Sequence, residues 1–119
     1  MAMATYAALL YMPEGSDWMT PEVREAHRVF GATASEVIAG AAALYPTGSA
    51  TTITVADGPG GDVMVTDGPY AEAKEILIGL YLLEAADLDE AIGWAARIPT
   101  AWQGKVELRP VLPVGIRPF

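Results

Sequence analysis

Four charged residues crowd one short segment of this sequence. In VTDGPYAEAKE, residues 65–75, Asp67, Glu72, Lys74 and Glu75 surround a Gly68-Pro69 break. A turn needs the glycine and the proline, but it does not need two acids and a lysine in that order. Asp67 closes a β-rich run, and a carboxylate at a strand end can act as a general base or orient a ligand. Acid chemistry would require burial to raise its pKa. The competing structural reading is an Asx turn in which Asp67 caps the Gly-Pro bend. The same tripeptide occurs earlier as Asp57-Gly58-Pro59, followed by glycines and no charge cluster, and there it reads as a plain hairpin turn.

Other residues could join Asp67. His27 is the one histidine in the chain, and its helical angle falls inside an apolar stripe, between Val23 and Phe30. It points to the core or to an interface, either as a satisfied core histidine or as a proton-transfer group titrating near neutral pH. Glu72 and Lys74 pair with each other at the surface or flank a cleft. Glu107 and Arg109 share one face of the last strand, opposite Val106 and Leu108. There the Arg109 guanidinium could clamp a carboxylate ligand or form an intersubunit salt bridge. Tyr11, Tyr70 and Tyr81 supply aromatic surface to a core, an interface or a ligand. The candidate catalytic residues are therefore Asp67 and His27, and the candidate ligand-binding residues are Tyr70, Glu72, Lys74, Tyr81, Arg109 and Tyr11. With no cysteine and a single histidine, no tight transition-metal site is expected. The sequence lacks a phosphate-cradling glycine loop and a G-x-S-x-G elbow, and no cofactor is expected.

Composition narrows the partners. The net charge of −8 opposes phosphate backbones and anionic lipid surfaces, so neither nucleic acid nor membrane is an expected partner. The first apolar run has no basic residue before it and stops at Pro13, unlike a signal peptide, and no run reaches membrane-spanning length. The expectation is a cytoplasmic protein whose residues 1–119 form one domain.

The elements that must position these residues follow from periodicity. Residues 5–12 (TYAALLYM) read as a buried strand. Thr20-Pro21-Glu22 is a helix start: a hydroxyl cap, a proline at the first helical position and an acid in the first turn. Val23, Ala26, Phe30, Ala34, Val37, Ile38 and Ala41 fall on one stripe at 3.6-residue spacing, which predicts a helix running to Gly40-Ala41, with Arg24, Glu25, Arg28 and Glu36 on its far side. Residues 51–56 and 63–66 form a hairpin around Asp57-Gly58-Pro59. Residues 76–84 (ILIGLYLLE) are the most apolar strand candidate. Asp87 and Glu90 make a capping box for a helix presenting Leu88, Ala91, Ile92 and Ala95 on one face, ended by Pro99. Val106, Leu108 and Leu112 alternate with charged residues in a last strand. The order β-α-β-β-(β)-α-β, with right-handed crossovers, gives an α+β, ferredoxin-like sandwich with both helices on one side of an antiparallel sheet.

The other side should be polar if it met water. It is not: residues 76–83 and 6–11 are apolar on both alternating faces. A face of this kind exceeds the apolar patch that monomers carry. A second copy of the same sheet is the simplest cover, giving a homodimer with facing sheets.

VTDGPYAEAKE resembles the signature of the DGPF-type proteins of the YCII-related family, usually VTDGPFAETKE. The likeness extends to YAALLY, Trp18, TPE, the Gly79-x-Tyr81-LLE strand, DLDEAIGWAARIP and GKVELRP. It implies a dimeric α+β barrel with a cleft between subunits, and little about activity. Tyr70 stands in place of the usual phenylalanine, Ala73 in place of threonine, and Ile76, Ile78 and Leu80 in place of glutamine, glycine and an aromatic residue, which implies a more apolar pocket wall. Two functions follow as expectations. One is a cofactor-free lyase or isomerase moving protons on a small aromatic or carbonyl metabolite in the inter-sheet cleft, with Asp67 as base. The other is a non-catalytic ligand-binding or regulatory accessory protein.

Overall fold

The computed structural model describes residues 3–113. Four antiparallel strands, β1 (Ala4–Pro13), β2 (Ile38–Ala43), β5 (Glu75–Ala85) and β6 (Lys105–Pro110), form one sheet in the order β2-β5-β1-β6. Strands β3 (Thr51–Val55) and β4 (Val63–Asp67) form a separate two-stranded hairpin inserted between β2 and β5. Helices α1 (Pro21–Thr33), α2 (Leu88–Ala95) and the short α3 (Thr100–Gln103) complete the chain. Without the hairpin the order is β-α-β-β-α-β, so the fold is the expected ferredoxin-like α+β sandwich.

Burial alternates along β1 as a one-sided strand requires. Tyr6, Ala8, Leu10 and Met12 are buried, and the residues between them are half-buried. The buried set meets Phe30 and Ala34 from the first helical segment, Ala91 and Ala95 from α2, Ile98, and Tyr81 and Leu83 from β5. Val106 and Leu108 pack against this core. Both long helices therefore cover the same face. Ala91 and Ala95 are small enough for α2 to lie close on the sheet.

Local chemistry fixes the helix starts. Thr20 Oγ1 accepts the Val23 N–H at 3.2 Å, and Pro21 fills the first helical position. At α2, Asp87 accepts the Glu90 N–H at 2.9 Å, the Asp87 half of the expected box.

The last strand ends at Pro110 and leaves Leu112 outside it and exposed, and the sequence reading differs from the structure in three further places. First, α1 ends at Thr33, and Val37, Ile38 and Ala41 do not extend its stripe, because Ile38–Ala43 is the edge strand β2. Gly31, Thr33 and Ser35 are weak helix formers, and Thr33 Oγ1 hydrogen-bonds back to Val29 O at 2.9 Å. Past that point the chain gains more by pairing with β5 than by continuing the helix. Second, the hairpin stands apart, and β2 takes the place in the sheet expected for residues 51–56. Third, α2 buries Ala91 and Ala95 but leaves Leu88 and Ile92 about half exposed, so its buried stripe is narrower than expected.

The two Asp-Gly-Pro turns also differ. Asp57 and Gly58 both adopt left-handed backbone in the hairpin turn, with φ of 58° and 87°. In the second turn only Gly68 does, at φ 101°. Its N–H donates to Ala50 O at 2.7 Å and its carbonyl accepts from Thr52 Oγ1 at 2.9 Å, which closes the base of the hairpin.

Candidate functional site

A cavity of about 360 Å³ opens beneath α1, between that helix and the β2 edge of the sheet. Leu10, Ile78 and Tyr81 supply its floor, Val23 and His27 its roof, and Trp18 one wall. Its outer side is the Ala41-Ala42-Ala43 run of β2. The cavity therefore lies on the helix-covered side of the sheet, not in the inter-sheet cleft where a site was expected.

Two features of β5 shape the floor. The β1–β5 register shifts between Leu10 and Tyr11, and Ile78 is the extra residue of that bulge. Its side chain is buried in the core. Next to it, a Cβ added at Gly79 would stand 2.6 Å from Ala42 O, so β2 can pair this closely with β5 only across a glycine.

The polar content of the cavity is small. His27 Nδ1 and Tyr81 Oη are hydrogen-bonded at 2.7 Å, and the two rings lie nearly parallel, 13° apart, at 6.0 Å between centroids. Phe30 meets the Tyr81 ring edge-on at 5.1 Å and fixes it. Burial holds the His27 pKa below its ordinary value and pushes the Tyr81 phenol up. Both groups are therefore neutral near pH 7. With the tyrosine hydroxyl donating to Nδ1, the imidazole carries its proton on Nε2. With Nδ1–H donating to Oη, Nε2 is a free base. Interchange of the two arrangements needs only rotation of the hydroxyl and a change of tautomer.

Arg24 is the one charged residue in the cavity lining. Its Nε donates to Met19 O at 3.3 Å, and its terminal nitrogens make no hydrogen bond or ion pair among the described residues. By contrast Arg28 is held by Glu25, Lys105 by Glu75 and Arg109 by Glu107.

Of the eight residues singled out from the sequence, the structure brings together His27 and Tyr81. Tyr11 and Arg109 lie on the opposite, helix-free face. Tyr11 pairs across with Lys105 and Leu77, and Arg109 Nε donates to Glu107 Oε2 at 2.7 Å. Asp67 is exposed at the end of β4, outside the cavity. Tyr70 is 87% exposed, and Glu72 and Lys74 are exposed and form no ion pair among the described residues. What the 68–75 segment does contribute is structural. Lys74 O accepts the Glu14 N–H at 2.7 Å, and Glu75 takes Lys105 at 2.8 Å.

Trp18, Arg24, Ile78 and Gly79 were not among the sequence candidates. The sequence reading put Arg24 on the far side of the helix, whereas it lines the cavity; three residues before His27, it lies on an adjoining row of the helix. The His27–Tyr81 pair spans 54 residues and had none. Among the described residues no group of three or more His, Cys, Asp or Glu side chains could hold a metal, and no helix is long and apolar enough to cross a membrane.

The family model of the YCII-related domain matches residues 5–115, nearly the whole chain. This chain belongs to the YCII-related family. A relative from Rhizobium meliloti (strain 1021), the uncharacterized protein R00369, is 35% identical over 115 residues, covering 89% of this chain and 90% of its own. The match takes in every element of the sandwich and both residues of the His27–Tyr81 pair. The matched span includes the β3–β4 hairpin.

Proposed function

We propose that this YCII-related protein binds a small aromatic or carbonyl compound in the cavity beneath α1 and moves a proton on it without a cofactor, as a lyase or isomerase does. The observation that carries this reading is the 2.7 Å contact between His27 Nδ1 and Tyr81 Oη inside an otherwise apolar cavity. An imidazole kept neutral by burial is a base ready to accept a proton at Nε2. Once protonated, it donates through Nδ1 to the tyrosine oxygen, so the hydrogen bond survives the transfer. In this reading His27 is the base and Tyr81 its positioning partner. Asp67, exposed at the end of the hairpin and outside this cavity, is assigned no step in this reading. The apolar walls suit an aromatic ring, and Arg24 suits an acidic substituent on it.

The same reading includes a second copy of the chain. The helix-free face carries Ala7, Leu9, Tyr11, Leu77 and Leu80, and burying such a face against its twin is the least costly way to remove it from water.

Phenylpyruvate is a suitable probe, since it combines a ring, a carbonyl and a carboxylate. The expected result is protein-dependent exchange of its C3 protons into deuterated water, reduced about 100-fold in His27→Gln and unaltered in Asp67→Asn. Shifts of the His27 and Trp18 resonances without exchange would instead mark a non-catalytic binding protein. Neither shifts nor exchange would remove the proposal.

A further inference from the structure

The β3–β4 hairpin is apolar where an isolated hairpin should be polar. Its register places Ile53 opposite Val65 and Val55 opposite Val63, so these four share one face. All four are exposed, with Ile53 at 63%, Val63 at 64% and Val65 at 63%. The hairpin packs mainly on itself, and no other helix or strand of the described residues makes an extensive contact with it. A lone two-stranded hairpin is marginally stable at best in water. An ordered hairpin with this composition therefore needs a surface that its own chain does not supply.

The dimensions of the whole chain also leave room for such a surface. Its accessible area is 8189 Å², whereas a folded monomer of 12.5 kDa exposes about 6,200 Å². Its radius of gyration is 16.4 Å, against about 13–14 Å for a compact domain of this length. The excess of about 2,000 Å² is more than twice what each partner buries in a standard stable interface of about 800 Å² per side. A surplus of that size is large enough for a homodimer interface, and the exposed Ile53, Val55, Val63 and Val65 of the hairpin face contribute to its apolar part.

We infer that the β3–β4 hairpin is an intersubunit arm. Its Ile53-Val55-Val63-Val65 face lies on a second copy of the chain, at the margin of the facing sheets, and the two-fold operation places the partner's arm likewise. This inference rests on the pairing of two chains proposed above. It adds that the insert, and not the four-stranded sheet alone, holds the pair together.

Sedimentation velocity on the full chain tests it. The expected result is a wild-type dimer whose dissociation constant rises about 100-fold in Ile53→Lys/Val65→Lys, because two charges are then forced into an apolar contact. Thr54→Lys, on the other face of the hairpin, should stay within about threefold of wild type. The titration of His27 reports that each variant keeps its fold. Hydrogen exchange on the unaltered chain serves as an independent readout: the β3–β4 amides should be protected in the dimer and lose protection on dilution. A double variant that is folded and pairs as tightly as wild type, or hairpin amides that exchange at free-peptide rates in the dimer, would overturn the arm. If Leu77→Glu separates the chains while the hairpin variant does not, the facing-sheet dimer stands and the arm alone falls. A monomeric wild type overturns both.

Discussion

Replacing Tyr81 with phenylalanine separates two explanations of the His27 site. The substitution removes one oxygen and leaves the ring against Phe30 (5.1 Å, 71°) undisturbed. It deletes the 2.7 Å hydrogen bond to Nδ1. A net contribution of about 1 kcal/mol is expected for such a bond, or about 4 °C in melting temperature for a domain of this size. The effect on His27 titration should be far smaller than the effect on stability. The tyrosine oxygen accepts from the imidazolium and its hydroxyl donates to the neutral ring, so the bond favours neither form. The pKa is held down by burial, and burial remains. Since His27 is the one histidine in the sequence, its ring-proton resonance can be followed against pH without assignment. The midpoint should lie below the ordinary value in wild type and stay there in Tyr81→Phe, while urea unfolding shows the loss of about 1 kcal/mol. A midpoint that returns to the ordinary histidine value would show that the tyrosine, and not burial, sets the proton affinity. Unchanged stability would show that the hydrogen bond contributes nothing in solution. Either result would refute the reasoning.

Three further outcomes follow from other parts of the structure. His27 is harder to protonate folded than unfolded, so the unfolded chain binds the extra proton; stability should fall as pH drops below about 6.5, and His27→Gln should remove that part of the pH dependence in a melting series at constant salt. Gly79→Ala should cost about 1–3 kcal/mol, read by chemical unfolding, because a Cβ 2.6 Å from Ala42 O pushes β2 away from β5; a stable variant with the β2 amides still protected would contradict the close pairing. Thr20→Ala should cost about 1 kcal/mol through loss of the bond from the Val23 N–H, and Thr20→Ser should restore most of it.

Much of the fold could be read from the chain because local rules and tertiary packing agreed there. Thr20-Pro21-Glu22 and Asp87 start helices by their own side chains, and β1 and β5 are apolar enough to be strands in any context. The end of α1 was not readable. The segment 37–43 is mostly alanine with one glycine and fits a helical stripe as well as an extended strand; its fate is decided by β5, a partner distant in sequence. The site divided in the same manner. His27 stood out by being unique and lying within an apolar stripe. The signature around Asp67 drew attention by its charges, yet those side chains lie outside the cavity, and the segment instead closes the hairpin base through Gly68 and ties Lys74 to Glu14. Charge density in a sequence marks solvent as readily as chemistry. Burial, which gives His27 its altered proton affinity, depends on neighbours such as Tyr81, 54 residues away, and single-sequence periodicity does not reveal them.

The alanine run of β2 bears on how this protein could diverge. Ala41 pairs with Tyr81 across the strands and forms part of the wall at the sheet's free margin, where a longer side chain meets solvent on one flank and the cavity on the other. Enlarging that residue would shorten the space available to a guest while leaving the helix-packed interior untouched. In the reading proposed above, the width of the cavity at this margin is set by small residues of an edge strand, while its floor is shared with the core.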